Sequence, residues 1–339
     1  MKKHWVAALT PILLAAFFLT ACTQSRKPTV EAADAKAEMA AGAVPADASA
    51  PHFDSAFWST WGDGQAELAG YDLVIPRYGE PRQGTAVTIF VTETFSNSAR
   101  VKANPGVHPA TDEFPVMKLN LVKDFPTGIY DYNLMTSAFV ALKAVNGRQA
   151  GYPTKVSFSA QEWCGHVFSQ VLFDAAKIRF TSHSYFDEEA DESKEIDYPS
   201  GTLTEDALFH WARGMAAPVV APGEEAKANL LMSLQDSRLK HRPVSGKAAM
   251  LSRSAAPTRI RVPAGDFEVD TMAVRTADST YKFFVETVPP HRIVQWEFSD
   301  GEKGQLLKSE RMKYWGLHGG KDLSYLKQLG LSQRPPRTM

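Results

Sequence analysis

The stretch Lys155–Phe173, KVSFSAQEWCGHVFSQVLF, concentrates the residue types of this chain that could do chemistry. Its period-two alternation predicts a strand, in which residues two apart share a face at about 6.5–7 Å. Glu162, Cys164 and His166 then fall on the side of Val156, Phe158, Ala160 and Phe168. A carboxylate, a thiol and an imidazole would form a column on an apolar face, with Ser157, Ser159, Gln161, Trp163 and Ser169 opposite.

Several roles suit such a column. As structure, Cys164 is a small buried hydrophobe, Gly165 marks a bulge or close approach, and Glu162 bonds His166 or backbone. As a binding site, the column lines the mouth or floor of a half-barrel and orients a molecule through a few polar groups. As a catalytic site, Cys164 is a nucleophile, His166 or His183 its base and Glu162 the orienter. The same side chains could ligate zinc, but no Cys-x-x-Cys or His-Glu-x-x-His spacing is present, so no metal is expected. His183 and Tyr185, in KIRFTSHSYF (177–186), join the column if His166 pairs opposite His183, which sets Tyr185 opposite Cys164. A one-residue slip presents Ser184 and Phe186 instead. Glu93 repeats the puzzle, sharing a face with Val87, Ile89, Val91 and Phe95. The ligand-binding candidates are therefore Glu93, Glu162, Cys164, His166, His183 and Tyr185. With no phosphate loop and no Gly-x-Ser-x-Gly elbow, no cofactor is expected.

The elements that would position these residues are mostly strands. TAVTIFVTETF (85–95) alternates Val87, Ile89 and Val91 against threonines, and FPVMKLNLVKDF (114–125) alternates Met117, Leu119 and Leu121 against Lys118 and Asn120. Closely spaced strands without intervening helices imply an antiparallel meander. The acidic run DEEADESKEID (187–197) lacks the glycine and spacing of a calcium loop. Helical patterns follow in EDALFHWARGM, which Thr204 can cap, and in GEEAKANLLMSLQDSRLK. Strands resume at TRIRVPAGDFEVDTMAVRT (258–276) and continue through QLLKSERMKYW (305–315).

At the N-terminus, Lys2 and Lys3 precede an apolar run, Trp5 to Ala21, that is short for a membrane span and contains Pro11. It ends in Leu19-Thr20-Ala21-Cys22, which resembles a bacterial lipobox. That resemblance implies cleavage before Cys22 and a diacylglyceryl group on its sulfur, an anchor strengthened by about 0.8 kcal/mol for each buried methylene. Thr23 in place of Asp favours the outer membrane. Removal of residues 1–21 leaves 35 basic against 38 acidic residues, a formal net charge of −3 with no basic block, so nucleic acid is not an expected partner. It also leaves Cys164 without an intramolecular disulfide partner once Cys22 carries lipid. Residues 22–52, Ala-rich and polar, read as a flexible tether. The rest divides into an N-terminal β part (53–186), an acidic loop and helical insertion (187–250), a C-terminal β part (251–317) and a loose tail (318–339).

VPAGDFEVDTMAV, PPHRIVQWEFSDG and LLKSERMKYW resemble the second half of bacterial envelope proteins of unassigned function that form a curled antiparallel half-barrel. RYGEPRQGTAVTIFVTE, SAQEWCGHVFSQ and SHSYF resemble uncharacterised bacterial exported proteins, some labelled Maf-type septum formation inhibitors, which are nucleotide pyrophosphatases. The nearest counterpart of the Maf phosphate loop, MLSRSAAPTRIRV (250–262), stands late in the chain and lacks the α/β order, so the resemblance implies a fold and no pyrophosphatase chemistry. The expectation is a mainly β, α+β fold: a curled antiparallel sheet with a short helical insertion. The protein is expected in the cell envelope, anchored to the outer membrane through Cys22 and facing the periplasm. Its expected role is a non-enzymatic binding or structural module with a cleft for a lipid or small amphipathic molecule; the alternative is a Cys164-dependent hydrolase or transferase.

Overall fold

The computed structural model describes residues 50–187, 189–199 and 201–333. The expected signal peptide, Cys22, nearly all of the tether and residues 334–339 of the tail lie outside the described residues. Among the described residues, seventeen strands form one sheet. The first half of the chain contributes β1 (Ala66–Arg77), β2 (Glu80–Ser96), β3 (Val101–Lys102), β4 (Glu113–Thr127), β5 (Tyr130–Ala141), β6 (Pro153–Glu162), β7 (Gly165–Phe173), β8 (Lys177–Ser184) and β9 (Glu192–Asp197). The second half adds β10 (Thr202–Thr204), β11 (Glu225–Leu231), β12 (Gly246–Arg253), β13 (Thr258–Val262), β14 (Gly265–Arg275), β15 (Thr280–Glu286), β16 (Ile293–Phe298) and β17 (Lys303–Met312). Three short helices accompany them, α1 (Ser55–Trp61), α2 (Leu208–Ala212) and α3 (Leu234–Lys240).

Antiparallel pairing runs from β9 through β8, β7, β6, β5 and β4 to β2 and β1. It crosses to β17 and returns through β16, β15, β14 and β12 to β11, where β10 adds in parallel. The first and last strands therefore meet in the middle of the sheet, while both edges come from mid-chain. The expected fold class is the one found. The two β parts belong to one continuous sheet, joined at β1–β17.

The sheet curls around α2. Leu208, Phe209, His210, Trp211 and Ala212 are all buried, as a helix that is apolar all round must be. Phe209 meets Phe283 and Trp296 edge-on, and His210 meets Phe90. Arg213, just past the helix, fixes this plug to β1 by two bonds to Glu67, at 2.7 and 3.0 Å, and donates to the carbonyls of Pro290 and His291. Breaking such a buried pair from one side costs about 3–5 kcal/mol.

Three expectations change. The phase of β2 is reversed: Ala86, Thr88 and Phe90 face the interior, and Val87, Ile89 and Val91 face out. That outer face is apolar because the expected loose tail covers part of it. Gly320–Leu329 forms 3-10 turns, Leu329 is buried against Leu68, Ile89 and Val91, and its carbonyl sits where a Cβ on Gly70 would be. With both faces covered, alternation alone could not say which one points inward. Finally, the stretch 223–240 is helical only from Leu234. Its first half is β11, whose Glu, Ala, Lys and Leu residues are recruited by pairing with β12 and β10.

Candidate binding surface

The opening stretch is a hairpin, not one strand. Glu162 pairs with Gly165, and Trp163-Cys164 is a two-residue loop. No Gly, Asn, Asp or Pro marks that loop; the Glu162 carboxylate closes it by accepting the Cys164 N–H at 2.7 Å. A two-residue turn returns the chain antiparallel, so the inward positions pass from Val156, Phe158 and Ala160 to Val167, Ser169 and Val171. The expected Glu162–Cys164–His166 column therefore does not exist. The Glu162 side chain points inward, 2% exposed, with the Arg238 guanidinium 3.9 Å away. Cys164 is exposed at the tip. His166 projects from the outer face of β7 beside Gln161. The Glu162 carboxylate pushes the Cys164 thiol above its ordinary value, which disfavours the thiolate a nucleophile needs.

The register of β7 on β8 sets Phe168 opposite His183. This keeps the parity of the first sequence option but shifts it by two residues, and the ladder ends at Val167 and Ser184, before Tyr185. The Tyr185 ring lies over Gly165, where a Cβ would come within 2.5 Å of it, on the inward side that Gly165 shares with its partner Glu162. His166 and His183 thus share one outer face, and Tyr185 stands at its tip without belonging to it. Glu93 lies apart, on the outer face of β2, bound to Lys118 at 2.7 Å.

The outer face of β5–β8 is unusual in composition. Paired residues project to the same side, so the register lays out three rows. Asn133, Gln161 and His166 form the first; Met135, Ser159, Phe168 and His183 the second; Ser137, Ser157, Gln170 and Thr181 the third. None is Asp, Glu, Lys or Arg. Charges begin only at the border: Asp124 bonds Asn133 on one flank, Asp191 stands 3.1 Å from His183 on the other, and Lys155 and Arg179 occupy the row below. Elsewhere the sheet sets charge against charge, as in Arg259 opposite Glu268 and Arg261 opposite Asp266. Within the grid Phe168 is 37% exposed, and at its tip Trp163 is 64% exposed while stacked on Tyr130. Hydroxyl, amide and imidazole groups around ring faces can hydrogen-bond and stack without electrostatic selection. The sequence carried a signal for this face in Ser157, Ser159 and Gln161, on the side of the strand opposite the apolar one.

The interior offers less. A cavity of about 50 Å³ lies beside α2, lined by Lys123, Glu205, Asp206, Gln235, Tyr281 and Glu302 among others. That is room for a few waters, against roughly 300–1,000 Å³ for a ligand pocket. Its polar groups are occupied with one another. Lys123 bonds both oxygens of Glu302, Tyr281 donates to Glu205 at 2.7 Å, and the Leu234 N–H donates to Asp206. Burial pushes Asp206 up to about 7. Among the described residues no three His, Cys, Asp or Glu side chains are grouped to hold a metal, and no helix is long and apolar enough to cross a membrane.

No family model and no curated protein matches the chain. Among solved structures it is similar to a crystal structure from Brucella abortus described as a beta-barrel-like protein of domain of unknown function DUF1849. The two are 12% identical, with a TM-score of 0.41, over 73% of this chain and 98% of that one.

Proposed function

We propose that this chain is a lipid-anchored, non-enzymatic binding module of the bacterial cell envelope. It is held on the outer membrane through Cys22, faces the periplasm, and meets its partner with the outer face of β5–β8. The observation that carries this reading is the charge-free grid with its exposed rings, since exposed aromatic surface bordered by polar groups marks interaction sites. The cavity beside α2, with room for a few waters, argues for a ligand on the outer face of the sheet. The raised thiol of Cys164, apart from His166, argues against the cysteine-enzyme alternative. Pro51 packs against the β5–β6 connection, at the end of the sheet opposite the Trp163 tip.

The test is photo-crosslinking in cells, with a benzophenone amino acid at position 168 or 135 and a control at 259. Adducts from 168 and 135 but not from 259 are expected, together with loss of membrane retention in Cys22→Ala. Absence of any adduct at 168 and 135 would overturn the reading.

A further inference from the structure

We infer that the β5–β8 face binds an uncharged glycan chain. The inference rests on the binding-module reading above and names the class of its partner. The argument starts from what the surface lacks. Four strands at about 4.8 Å spacing and five residues along each make a face roughly 15–20 Å on a side. Eleven outward side chains cover it without one Asp, Glu, Lys or Arg, in a chain where 22% of residues are charged. Anionic lipid headgroups, nucleic acids and charged peptides are drawn by opposite charge, and nothing in the grid supplies it.

What the surface has points the same way. Ser137, Ser157, Ser159 and Thr181 offer hydroxyls, and Asn133, Gln161 and Gln170 offer amides; each can donate and accept. A polyhydroxylated chain needs that reciprocity, because every sugar hydroxyl is both donor and acceptor. Phe168 stands among these groups, with Trp163 at the tip, and the C–H faces of sugar rings stack on such aromatic faces. Ser159, small and directly between Met135 and Phe168 in the middle row, leaves a shallow trough rather than a closed pocket. An open trough suits an extended polymer and not a small molecule. A protein partner would seek a desolvated apolar core, whereas here every row carries amide or hydroxyl groups.

The experiment is affinity electrophoresis of the full chain in native gels containing Triton X-100 and glycol chitin or hydroxyethyl cellulose, both uncharged soluble polysaccharides. Retardation is expected with at least one of them. Phe168→Ala and Trp163→Ala should each weaken it about tenfold, the usual scale for removing an aromatic contact. Ser159→Arg should abolish it by filling the trough. Unchanged thermal unfolding of these exposed-site variants shows that they fold.

No retardation with either polysaccharide overturns the glycan assignment, and so does retardation that all three variants retain. Crosslinking at position 168 then separates the two levels of the argument. Adducts to protein or phospholipid alone keep the binding face and remove the glycan, while no adduct of any kind removes both.

Discussion

Two buried ionisable groups on the plug pull stability in opposite directions with pH. Burial raises Asp206 to about 7 and lowers His210 to about 3, where its Nε2–H donates to the Met117 carbonyl. Asp206 binds its proton more tightly folded than unfolded, so its contribution to stability falls as pH rises from about 4 to about 7. His210 does the reverse, adding stability as pH rises from about 3 to about 6.5. Over the shared window the two slopes largely cancel. Asp206→Asn, whose amide oxygen can still accept the Leu234 N–H, removes one of them. Urea unfolding should show the variant more stable than the parent above pH 7, by about 4 kcal/mol at most, with a rising slope from pH 4 to 6.5 where the parent is flat. A parallel profile for both proteins would contradict the assignment. At Cys164 the prediction concerns rate. The thiol is exposed yet held protonated by Glu162, so folded protein should react with iodoacetamide more slowly at pH 7.5 than a free cysteine peptide, and Glu162→Gln should speed it. Residue types flagged this spot, but its geometry was hidden, because a side-chain carboxylate makes the turn where the sequence shows no turn residue.

Elements differed in legibility according to how many faces they bury. The β4 alternation placed Met117, Leu119 and Leu121 inward as read, since Lys118 and Asn120 mark the opposite face in that stretch. The all-apolar α2 announced its burial. β2 deceived because a second layer covers its outer side, and that layer is the C-terminal segment, whose polar composition reads as a tail. This segment carries an element-scale prediction. Leu329→Ala should cost about 2–3 kcal/mol in urea unfolding, within the range for a buried leucine. Ending the chain at His318 should cost more and expose Leu68, Ile89 and Val91, read as increased binding of a hydrophobic dye. Unchanged stability in both would mean that Gly320–Leu329 does not pack on β1. Gly70→Val tests the contact from the other side, since any Cβ there meets the Leu329 carbonyl.

At the scale of the whole molecule, meander, hairpins and helical interruption were all readable, but the way the two halves of the sheet join was not. No local pattern says that β1 pairs with β17, because the pairing joins residues more than two hundred positions apart, Ala66 with Met312 to Val74 with Lys303. That ladder makes the two halves mutually dependent in a way the linear division into parts does not suggest. A protease site introduced within the acidic run 187–191 separates β1–β8 from β9–β17 covalently. The nine β1–β17 pairs, the six β8–β9 pairs and the buried plug continue to hold the pieces. The nicked protein should therefore elute at the intact mass in native size exclusion and melt in one transition, now with a midpoint that rises with protein concentration because folding has become bimolecular. Fragments eluting separately, or two independent melts, would mean that each half folds around its own core and that the β1–β17 ladder is not what holds the halves together.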